Sequence, residues 1–222
     1  MRFRIVILAV CCVVAAPLAV RAQIDDAAWG ITAVFAPRWQ VPAFVEGRFD
    51  ITSVDVTGRE LRVGVVRGTT FGGEWGVSLV HKRLSDTGAV TVAGTDGLAS
   101  FITEDSELLG VEVHRFFPFA RIGGRVQLGV NLAGGIAQIR GFVRGEYDPA
   151  SADAESFTAM VSARDVFEYT GRDVDWLPIA KVQVAVATLF GERAKLRVGG
   201  GLNLPGYEMV NVSFSYLLGR DR

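Results

Sequence analysis

The sequence contains two histidines, and a histidine next to a hydroxyl or carboxyl group is the first candidate for chemistry. Nucleophilic catalysis needs a serine hydroxyl within hydrogen-bond reach of a histidine nitrogen. Ser85 follows His81 by four residues, and three large residues lie between them. His114 lies close to Glu112 in the sequence, so we expect it to pair with that carboxylate or with a neighbouring arginine. The sequence therefore predicts no catalytic residue.

Patterns typical of metal and phosphate sites are absent from the sequence. Cys11 and Cys12 both lie in the first segment of the chain, the histidines are not paired, and no calcium-loop spacing occurs. The glycines of Gly199-Gly200-Gly201 resemble part of a phosphate loop, but they lie in a strand pattern and no helix pattern follows them. The sequence therefore predicts neither a metal nor a cofactor.

Composition excludes several classes of protein. The 222 residues include 23 basic and 24 acidic ones, so no basic face for nucleic acid is expected. The mean hydropathy of +0.31 excludes a disordered chain, because ample apolar surface is available for burial. After residue 20 no run of 18 apolar residues occurs, which excludes a helical membrane protein.

The first segment has the pattern of a secretory signal peptide. Two arginines precede an apolar stretch over residues 5–20, and Val20 and Ala22 occupy the two positions that signal peptidase reads. The stretch has about 16 residues, which is short for a membrane-spanning helix. We therefore predict a signal peptide over residues 1–22 and a single domain over residues 23–222.

In the rest of the chain, apolar residues alternate with polar or small ones, which is the period of β-strands. The clearest segment runs from Val210 to Leu218, where every second residue is Val, Phe, Tyr or Leu and the residues between are Asn or Ser. Seven more segments of this kind begin near residues 29, 61, 75, 109, 126, 182 and 196. The sequence therefore predicts eight strands.

The connections between these segments alternate in length. Short turns are predicted at residues 68–73, 118–121 and 191–194, and long loops at residues 38–59, 84–106 and 135–175. Short turns at one end and long loops at the other are typical of a membrane barrel. We therefore predict an all-β fold, an eight-stranded antiparallel up-and-down transmembrane β-barrel.

The two faces of the strands differ in a way that predicts their orientation. Between a few charged residues, the polar face carries Gly, Ser and Ala, which suit the narrow interior of an eight-stranded barrel. The other face carries Val, Leu, Phe and Trp, with no charge expected in the middle of a strand. This is typical of contact with lipid, where an Arg or Lys at the bilayer midplane costs about 2–4 kcal/mol. A soluble lipocalin-like barrel would have the opposite orientation.

Charged residues on the polar face are expected to fill the lumen. They are Arg62, Glu74, Glu112, His114, Arg125, Lys181 and Arg197. Buried charges need partners, and an eight-stranded interior is only wide enough for side chains. We therefore expect an ion-pair network that plugs the lumen. The alternative is a small pore that prefers anions, because basic residues outnumber acidic ones in this set.

Aromatic residues near strand ends predict the girdles that flank the apolar band of a membrane barrel. Those expected at the rim of the short turns are Phe116, Phe117, Phe119, Phe190 and Tyr216. Those expected at the rim of the long loops are Trp39, Trp176 and Tyr207.

A signal peptide, eight alternating strands, short turns opposite long loops and a final strand over residues 208–218 together resemble the small outer-membrane β-barrel proteins of Gram-negative bacteria. The resemblance spans about residues 28–219 and is one of pattern. It implies a location in the outer membrane, contact with its lipid, and recognition of the final strand by the barrel-assembly machinery. Members usually finish on an aromatic residue, whereas this chain continues past Tyr216 to Arg222.

The resemblance implies a structural, adhesive or minor-transport role and leaves the specific ligand open. Some members hydrolyse lipid A or phospholipids with a His and a Ser two residues apart, and the spacing of His81 and Ser85 departs from that pattern. A lipid-modifying enzyme, an anion-preferring pore and a soluble periplasmic carrier remain as alternatives.

The long loops contain further patterns. Asp148-Pro149 is typical of the start of a helix and predicts a short helix over residues 150–165. Alternatively, residues 136–147 and 157–169 form two more strands, which would give a ten-stranded barrel. The segment 51–56 is expected to extend the second strand.

Overall fold

The computed structural model describes residues 27–40, 51–69, 71–85, 88–93, 97–103, 106–149, 155–162, 176–204 and 206–218. The predicted signal peptide lies outside these residues. Among the described residues, no helix is long and apolar enough to cross a membrane.

Thirteen strands form two sheets in the described part of the chain. The strands of the first sheet are β1 (Ala28–Gln40), β3 (Thr57–Gly68), β4 (Glu74–Leu84), β7 (Glu107–Ile122), β8 (Val126–Arg140), β11 (Leu177–Phe190), β12 (Ala194–Leu204) and β13 (Gly206–Leu217). Those of the second sheet are β2 (Ile51–Asp55), β5 (Gly88–Ala93), β6 (Gly97–Thr103), β9 (Phe142–Pro149) and β10 (Phe157–Ser162).

The first sheet is a closed barrel in the order β1-β13-β12-β11-β8-β7-β4-β3, with antiparallel pairs throughout. The pairing of β1 with β13, from Gly30 opposite Leu217 to Gln40 opposite Tyr207, closes it. The predicted eight-stranded antiparallel barrel is therefore confirmed, and the alternative of ten barrel strands is wrong.

The period-two pattern sorts the side chains between the two faces of the barrel wall. In β11, Val182, Val184 and Val186 are exposed, whereas Lys181 and Gln183 are buried. The large exposed aliphatic residues of β3, β4 and β13 lie on the same outer face. The apolar face therefore lies outside and the polar face inside.

Three short turns connect strands at one end of the barrel, which we call the turn end. Their described residues are 69 and 71–73 in the first turn, 123–125 in the second and 191–193 in the third. The turn predicted over residues 118–121 is wrong, because β7 continues through this segment with a register shift between Pro118 and Ala120. Gly123 and Gly124 have φ angles of 59° and 75° and form the turn, because glycine adopts this left-handed region without strain.

The opposite end, which we call the loop end, carries the second sheet. The order of its strands is β10-β9-β6-β5-β2. Four of them follow or precede a barrel strand directly in the sequence: β2 goes with β3, β5 with β4, β6 with β7 and β9 with β8. These four strands are neighbours in the same order as their barrel partners. Val56 alone separates β2 from β3, and Gly141 alone separates β8 from β9. Half of the barrel wall therefore continues beyond the rim as a separate sheet.

This sheet corrects the predictions for the long connections. The segment 51–56 holds a separate strand that pairs with β5 and is not an extension of β3. No helix occurs in the described residues of the segment 150–165, where β10 pairs with β9. For the two additional strands predicted over residues 136–147 and 157–169, residues 136–140 belong to barrel strand β8, whereas residues 142–147 and 157–162 belong to β9 and β10 of the second sheet. Residues 163–169 lie outside the described residues.

Because β4 and β7 already pair up to Arg83 opposite Glu107, we expect the barrel to fold without the β5–β6 hairpin. The backbone N–H of Leu84 donates to the carbonyl of Ser106 at 2.9 Å, so a tight turn can join these two residues. Replacing residues 88–103 by a short Gly-Ser linker should remove β5 and β6 from the second sheet, leave the β9–β10 pair, and keep the barrel. The measurement is the electrophoretic shift between boiled and unboiled protein, and its loss would contradict this prediction.

Candidate functional site

The polar interior is the candidate site, and its larger part is a cluster near the loop end. This loop-end cluster consists of Glu60, Arg62, Lys82, Glu112 and Lys181, all buried. Glu60 receives three cations: Arg62 Nε lies 2.7 Å from Oε1, Lys82 Nζ lies 2.9 Å from Oε2, and Lys181 Nζ contacts Oε1. Glu112 receives Arg62 NH1 at 3.2 Å and Lys181 Nζ at 2.8 Å. The cluster therefore connects strands β3, β4, β7 and β11 across the lumen.

A second cluster lies near the turn end and consists of Glu74, Lys195 and Arg197. Arg197 NH1 lies 2.5 Å from Glu74 Oε1, and Lys195 Nζ lies 3.4 Å from Oε2. Arg197 also donates to Ser213 Oγ at 2.9 Å and to Ser215 Oγ at 3.2 Å. This turn-end cluster therefore connects β4, β12 and β13.

Phe116 and the first short turn lie beside the turn-end cluster. The Phe116 ring is fully buried, 5.5 Å from Lys195 Nζ and 5.1 Å from the Arg197 guanidinium carbon. Lys195 Nζ also donates to the carbonyl of Gly72 at 3.3 Å, and Gln127 Nε2 donates to that of Phe71 at 2.8 Å. The backbone carbonyls of this turn are therefore held by side chains from inside the barrel.

Apolar side chains form another layer inside the barrel, near the loop end. Val80, Leu108, Ala137 and Ile179 are buried together there, from four different strands. Between the two charged clusters lies a cavity of about 20 Å³, lined by Arg62, Glu112, His114, Asn131, Gln183 and Arg197. Such a volume holds about one water molecule.

Most of the residues predicted for the lumen lie in it. Arg62, Glu112 and Lys181 belong to the loop-end cluster, and Glu74 and Arg197 to the turn-end cluster. His114 is also buried, and its Nδ1 lies 3.4 Å from Ser78 Oγ. The prediction that Arg125 lies in the lumen is wrong. Arg125 lies in the turn 123–125, outside the strands, and is exposed.

Sequence reasoning missed three charged interior residues, Glu60, Lys82 and Lys195. Glu60 lies one step before Arg62 in the alternation of β3, and Lys82 lies two steps after Ser78 in that of β4, so longer alternating segments would have placed both inside. Lys195 lies two residues before Arg197 and therefore on the same face of β12. Among the described residues, no group of three His, Cys, Asp or Glu side chains is arranged to hold a metal ion.

The predicted aromatic girdles are only partly reproduced. Trp176, Phe190 and Tyr216 are exposed on the outer face, Phe119 is exposed near the turn 123–125, and Phe117 is half-buried. The prediction that Phe116 belongs to the outer girdle is wrong, because Phe116 lies on the same face of β7 as His114 and points inward. For Trp39 and Tyr207 the structure describes only the backbone, in β1 and β13.

A charged residue also lies on the outer face, where none was expected in the middle of a strand. Arg115 is the ninth of the sixteen residues of β7, and its neighbours His114 and Phe116 both point inward. The expectation of an uncharged outer face is therefore wrong at this position.

The comparisons with known proteins add little to this geometry. The sequence matches no protein-family model and no curated protein. Among solved structures, it is similar to the crystal structure of the beta domain of the Bordetella autotransporter BrkA. The identity is 11%, the TM-score is 0.31, and the match covers 87% of this chain and 99% of that one. The eight-stranded barrel is therefore established by the strand pairing and not by this likeness.

We expect the folded barrel to resist amine acylation at lysine. The chain has three lysines, Lys82, Lys181 and Lys195, and all three are buried with their ammonium groups on carboxylates. An N-hydroxysuccinimide ester should modify them in denaturant and leave them unmodified in the folded protein, as read by peptide mass spectrometry. Modification at equal rates in both states would contradict the interior placement.

We expect Glu60→Gln to destabilise the barrel strongly, because the neutral amide no longer balances the positive charge of three buried side chains. Removing one partner of a buried ion pair typically costs about 3–5 kcal/mol. Glu107→Gln is the matched control, since the pair of His81 Nε2 and Glu107 Oε2 at 2.8 Å is partly exposed and such pairs contribute about 0–1 kcal/mol. Denaturant unfolding of the detergent-solubilised barrel measures both, and equal losses would contradict the cluster's role.

Proposed function

We propose that the chain is an outer-membrane β-barrel protein with a closed lumen and a structural or adhesive role. The observation that carries the proposal is the inverted distribution of side chains. Outward-facing Leu79 and Val184 are 60% and 61% exposed, whereas the inward-facing Lys82 is 0% exposed. A continuous exposed apolar surface of this kind is unfavourable in water and favourable in lipid.

Barrel closure supports the same proposal. In hydrocarbon, each unpaired backbone N–H or C=O group costs several kcal/mol, so a spanning sheet must have no free edge. The β1–β13 pair removes the edge that the eight strands would otherwise have. Together with the signal-peptide pattern of residues 1–22, this favours an exported protein of the outer membrane. In that setting, the outer-membrane lipid and the barrel-assembly machinery, acting on β13, are its general partners.

A closed lumen is favoured over a pore because three layers of side chains cross it. These layers are Phe116 with the turn-end cluster, the loop-end cluster, and the apolar group around Val80. The described interior carries five Lys and Arg side chains and three Glu side chains, so any current through an opened variant should prefer anions.

We do not propose an enzyme. Among the described residues, the hydrogen-bond partner of His81 is the carboxylate of Glu107 and not a serine hydroxyl. The pair of His114 and Ser78 has a Ser–His composition, but both side chains are buried between the charged clusters, where a lipid cannot reach them. The His81→Ala variant tests the alternative, since a measurable lipid-modifying activity that this substitution removes would overturn our proposal.

The second sheet supports an adhesive role, because it extends half of the wall beyond the rim. Phe142 and Met160 are exposed on it. Under the proposed orientation the sheet lies outside the cell, where its surface is accessible to other molecules.

Cell fractionation with a heat-modifiability gel tests the membrane assignment. We expect the protein in the outer-membrane fraction and a different migration when it is boiled, because a folded barrel resists detergent unfolding. A mature protein that stays in solution without detergent would overturn the membrane proposal and favour a soluble carrier.

Planar-bilayer recording tests the closed lumen separately. We expect no stable conductance at high protein load, because the ion-pair clusters and Phe116 lie across the lumen and the cavity between the clusters holds about one water molecule. A reproducible single-channel current would contradict the closed lumen and leave the membrane assignment intact.

A further inference from the structure

A row of alternating tryptophan and arginine residues crosses four neighbouring strands on the outer face of the barrel. In the strand register, Trp29 of β1 lies opposite Arg67 of β3, Arg67 opposite Trp75 of β4, and Trp75 opposite Arg115 of β7. Trp29, Arg67 and Trp75 lie one residue from the turn-end limits of their strands. We call these four residues, with Phe117 beside Arg115, the arginine–tryptophan row.

The residues of the row face outward. Trp29 and Trp75 are 51% and 39% exposed, and their rings meet edge to face with centroids 5.7 Å apart. Arg67 and Arg115 are half-buried, and the residues on either side of each point inward. The row is therefore a continuous patch on the outer face.

Within the part of the chain that the structure describes, the two guanidinium groups contact aromatic rings and no carboxylate. The guanidinium carbon of Arg67 lies 5.7 Å from the centroid of the Trp29 ring, and that of Arg115 lies 4.5 Å from the Phe117 ring. Arg67 Nε and Arg115 NH1 are both buried atoms without a hydrogen-bond acceptor in the described part of the chain. The interior arginines differ, because Arg62 and Arg197 both contact glutamates.

A buried guanidinium N–H without an acceptor is unfavourable, and an outward-facing one can be satisfied by a ligand. Guanidinium groups bind phosphate with two parallel hydrogen bonds, and tryptophan rings favour the level of lipid headgroups. The turn end also carries the exposed Arg125 and Arg193, which add positive charge next to the row. Charge and chemistry therefore both favour an anionic phosphodiester at an apolar surface.

We propose that the arginine–tryptophan row binds the phosphate of an anionic phospholipid in the leaflet that adjoins the short turns. The inference rests on the proposed function, because it requires the outer face to lie in a bilayer. The lipid phosphate accepts from the guanidinium groups of Arg67 and Arg115, and its acyl chains lie along the valines and leucines of β3 and β4.

The site is local and not a property of the whole circumference. On the turn-end part of the outer face of β11, β12 and β13, the described side chains are Thr188, Phe190, Leu196, Phe214 and Tyr216, none of them charged. Among the described residues, only the half of the barrel wall formed by β1, β3, β4 and β7 combines guanidinium groups with aromatic rings in this way. One preferred lipid position is therefore expected.

Native mass spectrometry of the detergent-solubilised, refolded full barrel tests the proposal with phosphatidylglycerol and phosphatidylcholine as probes. We expect wild-type protein to retain phosphatidylglycerol in preference to phosphatidylcholine. The double variant Arg67→Gln/Arg115→Gln should bind phosphatidylglycerol about thirtyfold more weakly, because it removes two cations and each cation near an anionic lipid contributes about 1 kcal/mol. The matched control Arg125→Gln/Arg193→Gln removes the same charge from the turns and should stay within about twofold of wild type, because neither residue belongs to the row.

Three results would overturn the site. They are equal retention of the two lipids by wild type, an equal loss in the control variant, and displacement of phosphatidylglycerol by the same concentration of inorganic phosphate. The last result would indicate a site for free anions. If the double variant does not fold, the single variant Arg67→Gln and the salt dependence of wild-type binding provide the same comparison.

A heat-modifiability gel on every sample separates this inference from the proposed function. A barrel that shifts on boiling but has no preference between the lipids contradicts the lipid site alone. A wild-type protein that neither shifts nor needs detergent contradicts the membrane assignment, and the lipid site with it.

Discussion

Three buried carboxylates organise the interior of this barrel. Glu60, Glu74 and Glu112 together contact the five Lys and Arg side chains of the two clusters. Each of these cations would be very costly in a narrow interior without a carboxylate close to it. Because the partners come from different strands, satisfying the charges also fixes which strands face each other across the lumen.

This interior differs from that of a soluble domain, where apolar side chains converge at the centre. Here the valines and leucines lie outside, and the apolar group around Val80 is a single layer near the loop end. Folding in water would leave the outer surface exposed to solvent, whereas a bilayer would cover it. The polar interior and the apolar exterior are therefore two results of one alternating pattern in a closed sheet.

The two ends of the barrel differ in chemistry and in shape. At the turn end, the backbone carbonyls of Thr69 and Gly72 accept from Lys195 Nζ. The loop end is extended on one side by the second sheet, in which β2, β5, β6 and β9 keep the neighbour order of β3, β4, β7 and β8. Under the proposed function, the turn end would meet a charged lipid surface and the loop end would make contacts outside the membrane.

The sequence by itself determined the strand period, the number of barrel strands and the face of most residues, because a residue's side in a strand depends only on its parity. It placed Lys181 and Arg197 inside and Val184 outside correctly. Its errors at Phe116 and Arg125 arose where β7 continues past Pro118 and turns at Gly123-Gly124, since a strand's end depends on its partner as well as on its own residues. Only the tertiary structure decided that Glu60 meets Lys181, 121 residues away, and that four strands bring Trp29, Arg67, Trp75 and Arg115 into one row. Register between strands sets these contacts, and no local pattern in a single strand contains it.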